Sequence, residues 1–360
     1  MAENRVTVPL DTSWFDEDPE KYLLRSDFIE FQEITGVDFY DLLSKDRDVL
    51  KRVQTKLTHQ LVILCEINKL HFGFGCPFLI YTHNFSFFKK LKDHQPNADK
   101  LFLSLDMCDS LRRRHIALSH AILPQAVEEA FESSKTPVVV KNLGSGVGLD
   151  MINAARYSDG KIREVLNYDT NTTATGLGET IVKTLEQEGR LNPGVFHYLE
   201  ENLGNSKEPA DVIIMVGIIC GLKDTFAKRL IKKCHGQLNT GGKLVVTSSN
   251  HHMRSSDPLA NFLIQHIGTK DDPLKGWGLN FREVETMHKL LSDVGFMDIQ
   301  IYDDANYPGK ENISPDILYG VDNLPAKVMG YPTLDKPLGL PDKEILDRGY
   351  GYNWIAVATK

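Results

Sequence analysis

The apolar run Val138-Val139-Val140-Lys141-Asn142-Leu143 breaks at Gly144-Ser145-Gly146-Val147-Gly148, and a helix-like segment follows from about Asp150. Strand, tight turn and helix form one unit here, because alternating glycines permit a sharp reversal and a close approach to the backbone. The turn's amides and the helix N-terminus offer donors to a polar group, which suits a nucleotide-like cofactor. A structural turn that packs a helix on a sheet accounts for the same glycines, so the rest of the chain must decide.

Beyond Thr136 short apolar runs alternate with amphipathic segments, at residues 138–140, 165–168, 195–199, 212–216, 244–247, 299–302 and 354–358. Seven such runs suggest one sheet. Segments such as 179–187 and 224–235 are long enough for crossover helices, which predicts that the first five strands pair in parallel. The fold class is α/β, a Rossmann-like seven-stranded sheet preceded by an N-terminal helical domain. We divide the chain at 1–133 (mainly helical), 134–304 (Rossmann-like), 305–349 (a Pro/Gly-rich insertion) and 350–360 (a final strand).

In the N-terminal part, Phe28, Phe31, Ile34, Val49, Val53, Leu57, Leu61 and Leu64 recur at helical spacing, and Phe72 to Phe88 forms an aromatic-dense patch read as core between helices. Arg112-Arg113-Arg114-His115 looks like a nucleic-acid contact, but it sits among Leu111, Ile116 and Leu118, so a solvated helix face is expected. The formal net charge of −8 also argues against a phosphate-backbone binder. No apolar stretch approaches the ~20 residues of a membrane span, so neither nucleic acid nor membrane is an expected partner. Five widely spaced cysteines lack close pairs and read as reduced core residues, and residues 1–10 carry no secretory pattern; the expected compartment is the cytoplasm.

The second strand run ends in Asn167-Tyr168-Asp169, about twenty residues beyond the glycine turn. There a carboxylate can accept from both hydroxyls of a ribose, and a helix N-cap is the alternative role for Asp169. That spacing is shared with NAD-dependent oxidoreductases. Later motifs separate the two: Asp211 to Gly217 reads as a strand entering a loop, Leu238-Asn239-Thr240-Gly241-Gly242 precedes the fifth strand, Leu290 to Phe296 ends in Gly-Phe before the sixth, and Trp354 to Ala358 looks like a closing strand.

In that order these motifs resemble the class I S-adenosylmethionine-dependent methyltransferases over about residues 134–304 and 350–360, and faintly a group of bacterial methyltransferases with a helical N-terminal region. The resemblance implies S-adenosylmethionine as cofactor. It implies that Gly144, Gly146 and Gly148 line its methionine and ribose part, that Asp169 holds the ribose, and that Glu201 or Asn202 lies near the adenine amino group. Val216 and Gly217 would border cofactor and acceptor. Where the family carries an acidic residue before the glycine turn, this chain has Lys141-Asn142; the Asn142 amide oxygen can still accept from the cofactor's ammonium.

His251 and His252 follow the fifth strand, at the edge where parallel sheets bind ligands, and an imidazole suits a base at neutral pH. Adjacent residues of an extended chain point to opposite sides, which disfavours a metal site there. The expected activity is methyl transfer to a small-molecule acceptor walled by the N-terminal helices, the segment 251–277 and the insertion, with Phe74, Trp277 and Tyr307 as aromatic lining. The insertion covers the site or packs on a second copy in a homodimer. A catalytically degenerate methyltransferase fold serving as a binding subunit is the other reading, and an NAD-dependent oxidoreductase the weaker one.

Overall fold

The computed structural model describes Ile80 and residues 106–158, 160–203, 206–253, 278–313 and 351–360. The helices expected before residue 80, most of the aromatic patch including Phe74, Trp277 and most of the insertion lie outside the described residues.

Strands β1 (Val138–Leu143), β2 (Ile162–Tyr168), β3 (Phe196–Leu199), β4 (Ala210–Met215), β5 (Leu238–Asn250), β6 (Phe281–Arg282), β7 (Met297–Asp303) and β8 (Asn353–Thr359) form one sheet in the order β3-β2-β1-β4-β5-β8-β7, with β6 paired to β5 off that path. The first five strands pair in parallel, as expected from the crossover segments. β8 runs antiparallel between β5 and β7. All seven expected runs are strands; the two-residue β6 is an addition, too short to show a two-residue alternation.

Side chains alternate across the sheet and divide the core in two. Val138 and Val140 pack with Val165, Val212 and Ile214 under the helices α1 (Asp106–Ala117), α2 (Leu123–Ser134) and α3 (Leu149–Ala155). Val139 and Leu143 pack with Leu166, Ile213 and Met215 under α5 (Asp224–Gln237) and α6 (Val284–Ser292). The crossover helix α4 (Thr172–Gln187) is capped by Asn171, whose side chain accepts from the Ala174 amide at 3.1 Å, so the N-cap role considered for Asp169 belongs to Asn171.

A five-residue π-helical turn, Leu118–Ile122, joins α1 to α2. Along α1, Arg112, Arg113, Arg114 and His115 are only 5–8% exposed, which corrects the solvated face expected of them. Partners make that burial tolerable. Arg113 Nε lies 3.2 Å from Asp304 Oδ2, Arg112 Nη2 3.4 Å from Asp109, Arg114 Nη1 donates to Asn353 at 3.1 Å, and His115 Nδ1 lies 2.5 Å from Asp150. Asp304 is fully buried at the end of β7, and its Oδ1 also accepts from Ser110 Oγ and the Asn353 amide. Burial pushes the Asp304 carboxyl up, and the Arg113 charge opposes that shift. α1 is thus bound through His115 to the first turn of α3 and through Ser110, Arg113 and Arg114 to Asp304, which follows β7, and to Asn353 of β8.

Candidate functional site at the C-terminal edge of the sheet

The five parallel strands end on one edge, and the expected site residues of β1, β2, β3, β4 and β5 all lie along it. The glycine turn has left-handed backbone at Gly144 (φ 65°), Gly146 (φ 54°) and Gly148 (φ 81°). A Cβ on Gly144 would stand 2.2 Å from Ile218 Cδ1, and one on Gly148 would stand 3.2 Å from Asn167 Oδ1 and 3.3 Å from the Tyr198 hydroxyl. At these two positions the protein's own side chains, rather than a ligand, take up the space that glycine leaves. Tyr198 in turn needs Gly178, where a Cβ would come within 2.5 Å of its ring, and its hydroxyl donates to Val147 O at 2.9 Å.

Asp169 is turned back onto the turn. Its Oδ2 accepts from the Gly146 amide at 2.7 Å and its Oδ1 from the Asn171 amide at 2.9 Å. A carboxylate offers roughly four acceptor positions, so two amides leave about two for ligand hydroxyls. Beneath the turn, β1 and β2 set Asn142 beside Asn167 in register, and Asn142 Nδ2 donates to Asn167 Oδ1 at 3.0 Å. Asn167 is fully buried, and among the described residues its Nδ2 has no hydrogen-bond partner.

Lys141 occupies the opposite face from Asn142 and takes no part in this edge. Its fully buried Nζ lies 3.4 Å from Gln237 Oε1 and 3.8 Å from Glu208, and burial pushes its pKa down. Glu201 and Asn202 are exposed beyond β3.

After β4, Val216 is partly buried in the core, while the Gly217 amide donates to Thr247 Oγ1 of β5 at 2.9 Å. Cys220 is buried, its Sγ 3.2 Å from Gly217 O, and burial raises its thiol pKa, as befits a core residue rather than a nucleophile. Sequence reasoning missed the residue that fixes this wall. Arg282 of β6, 2% exposed, donates through Nη1 to Ile219 O and Ser248 Oγ, both at 2.9 Å, through Nε to Asp224 at 2.9 Å, and through Nη2 to Leu222 O. Its own carbonyl accepts from Trp354 Nε1 at 2.7 Å. One guanidinium thereby ties the loop after β4 to β5, with the backbone of β6 tied to β8. The signal available was only a lone arginine between Phe281 and Glu283.

At the end of β5 the chain leaves extended geometry, and this overturns the expectation that His251 and His252 point to opposite sides. Their rings lie 4.1 Å apart, centroid to centroid, tilted by 37°. His251 Nδ1 lies 2.8 Å from Glu283 Oε2, and the His252 amide donates to Asn250 Oδ1. β1 and β5 are two strand spacings apart, roughly 10 Å at 4.8 Å each. A ligand seated on the glycine turn must therefore extend along the edge past β4 to meet these imidazoles.

No protein-family model matches the chain, and no curated protein does. Among solved structures, that of a possible exported protein from Bordetella parapertussis aligns with 96% of this chain and 99% of its own at 16% identity and a TM-score of 0.53, a likeness of fold alone. Human N-acetylserotonin methyltransferase in complex with S-adenosylmethionine is 16% identical, at a TM-score of 0.38 over 73% of this chain and 58% of that one. Magnesium protoporphyrin IX methyltransferase from Synechocystis with bound S-adenosylhomocysteine is 11% identical, at a TM-score of 0.43 over 84% of this chain and 100% of that one. The solved structures similar to this chain thus include class I S-adenosylmethionine-dependent methyltransferases, at low identity. Among the described residues, no helix is long and apolar enough to cross a membrane.

Proposed function

We propose that the protein is an S-adenosylmethionine-dependent methyltransferase acting on a small-molecule acceptor. The observation that carries this reading is the antiparallel β8 between β5 and β7 in a sheet whose first five strands are parallel. A dinucleotide-binding sheet has the order 3-2-1-4-5-6, without such a reversed strand, so the oxidoreductase reading loses ground although it shares the glycine turn and Asp169.

The residues present suit the cofactor, which supplies an electrophilic methyl group. Asp169 keeps acceptor capacity for ribose hydroxyls, Gly146 places its amide beside that carboxylate, and the buried Asn142–Asn167 pair offers neutral polar groups below the turn. Gly144 and Gly148 shape the turn, Val216 and Gly217 would border the acceptor side, and Glu201 and Asn202, exposed beyond β3, would lie near the adenine amino group. His251 and His252 stand where a base would meet the acceptor. The chain's negative charge supports a small molecule over RNA as acceptor, and the buried thiols of Cys220 and Cys234 support a reducing, cytoplasmic setting.

Asn142 in place of a carboxylate favours one competing reading, a methyltransferase fold retained as a binding subunit. Titration of the pure protein with S-adenosylhomocysteine and with NAD by calorimetry tests all three. Heat with the first and none with the second is expected; NAD binding alone overturns the reading, and silence with both favours the binding subunit.

A further inference from the structure

Resting on that reading, we propose that the Asn142–Asn167 pair reads the tail of the cofactor by hydrogen-bond polarity rather than by charge, so that the site takes a 5′-thioadenosine whether or not its tail carries an ammonium. Three observations converge. Parallel pairing of β1 with β2 sets Asn142 opposite Asn167 near the edge where both strands end. The pair lies against Gly148 of the glycine turn, where a Cβ would stand 3.2 Å from Asn167 Oδ1. Asn142 Nδ2 donates to Asn167 Oδ1 at 3.0 Å, and the two atoms left over differ in kind. Asn167 Nδ2 is sealed from solvent with no hydrogen-bond partner among the described residues, whereas Asn142 Oδ1, which accepts from none of them, is not sealed.

A carboxamide keeps nearly the same shape after a half-turn about its terminal torsion, while its donor and its acceptor change places. One amide cannot turn alone, because two NH2 groups or two oxygens would then face each other. Turned together, Asn167 Nδ2 donates to Asn142 Oδ1, and Asn142 offers its NH2 where it had offered its oxygen. Each arrangement keeps one bond within the pair, and the two differ only in which buried atom of Asn167 is left without a partner. The pair therefore meets an ammonium with an oxygen and a carboxylate with an N–H. A carboxylate at position 142 would have no donor to turn outward, and its charge would repel an anionic tail.

The test uses the full chain and two ligands, S-adenosylhomocysteine and 5′-S-(3-carboxypropyl)-5′-thioadenosine, which is the same thioether without the ammonium. Calorimetry of the parent should give dissociation constants within about threefold of each other, since one hydrogen bond to a neutral amide is exchanged for another. Asn142→Asp, fixed as an acceptor, should prefer S-adenosylhomocysteine by about tenfold or more. Nitrogen-15 NMR of the asparagine-labelled parent reads the turn itself. The Asn167 NH2 protons should move downfield, as they gain an acceptor, when the ammonium-free ligand binds, and should stay in place with S-adenosylhomocysteine. A larger preference for S-adenosylhomocysteine by the parent, the same preference in parent and Asn142→Asp, or an Asn167 signal unmoved by the ammonium-free ligand overturns the proposal. Should the variant not fold, the two dissociation constants of the parent and the Asn167 signal decide. Binding of neither ligand overturns the underlying methyltransferase reading, and the proposal with it.

Discussion

The carboxylate of Asp169 accepts the amide hydrogen of Gly146 at 2.7 Å, so the end of β2 holds the middle of the glycine turn in place before any ligand arrives. The same side chain is thus asked to do two jobs, and they can be separated. Asp169→Ala should weaken S-adenosylhomocysteine binding by roughly 1.5–3 kcal/mol, since charge-assisted bonds are lost. It should also lower stability by about 1–2 kcal/mol, because the Gly146 and Asn171 amides lose their acceptor. Calorimetry and urea unfolding read the two effects; a fall in stability with unchanged affinity would leave Asp169 a purely structural clasp.

Asn142→Asp should raise affinity for S-adenosylhomocysteine about 5–10-fold, the effect expected of one added charge near the ligand's ammonium at a partly screened site. The buried amide of Asn167 can turn so that its unpartnered Nδ2 donates to the new carboxylate, which offsets part of the cost of burying charge. Calorimetry with the variant checks this, and weaker binding with a lowered melting temperature would mean that Asn167 cannot turn.

Gly144→Ala carries two separable penalties. Its positive φ costs about 1–2 kcal/mol for any residue with a Cβ, and overlap with Ile218 adds roughly 1–3 kcal/mol. In an Ile218→Ala background only the backbone part should remain. A double-mutant cycle by chemical denaturation should therefore show coupling above about 1 kcal/mol; additive effects would place the strain elsewhere.

The Glu208 carboxyl is held down at about 2 by its own backbone amide first and by the Tyr168 hydroxyl next, the latter at 2.7 Å. A carboxyl depressed in the folded state contributes stability that is complete above its ordinary value of 4.5 and is lost as pH falls toward 2. Glu208→Gln should flatten that acid limb of the stability curve. The side chain is 59% exposed, so solvent screening keeps the difference below about 1 kcal/mol. Unfolding midpoints of parent and variant from pH 2 to 6 measure it.

Arg282→Met should destabilise the fold by about 3 kcal/mol, since Ser248 and the carbonyls of Ile219 and Leu222 lose a charged donor in a buried place. Exposed Asp224 rehydrates at little cost. Protection of the Gly217 amide from hydrogen exchange should fall with it; unchanged protection would show that Thr247 alone secures the loop.

The parallel strands, the glycine turn and Asp169 were legible because each depends on a local pattern: apolar runs of strand length, glycines at fixed spacing, an acid at the next strand end. The burial of Arg112 to His115 was not. Helical periodicity says which residues share a face, but Asp304 and Asn353, which accept the charge, lie about 190 and 240 residues away. The contact of His251 with Glu283 escaped for a related reason. It requires the two-residue β6, and the abrupt end of β5 that lets neighbouring rings meet cannot be read from alternation. An acid at a strand end suits either a ribose or a helix cap, and the cap is Asn171, two residues beyond Asp169, where the side-chain oxygen reaches the third helical amide.

The π-helical turn at Leu118–Ile122 sets the phase between two consecutive helices. An α-helix advances about 100° per residue, so the one additional residue that such a turn accommodates rotates everything before it by about that angle relative to everything after. α2 can then keep its apolar stripe against β1 while α1 presents Arg113 to Asp304, Arg114 to Asn353 and His115 to Asp150. A one-residue deletion there, harmless by composition and hydropathy, would act as a frameshift in angle: α2 would stay seated, and Arg113, Arg114 and His115 would rotate off their partners.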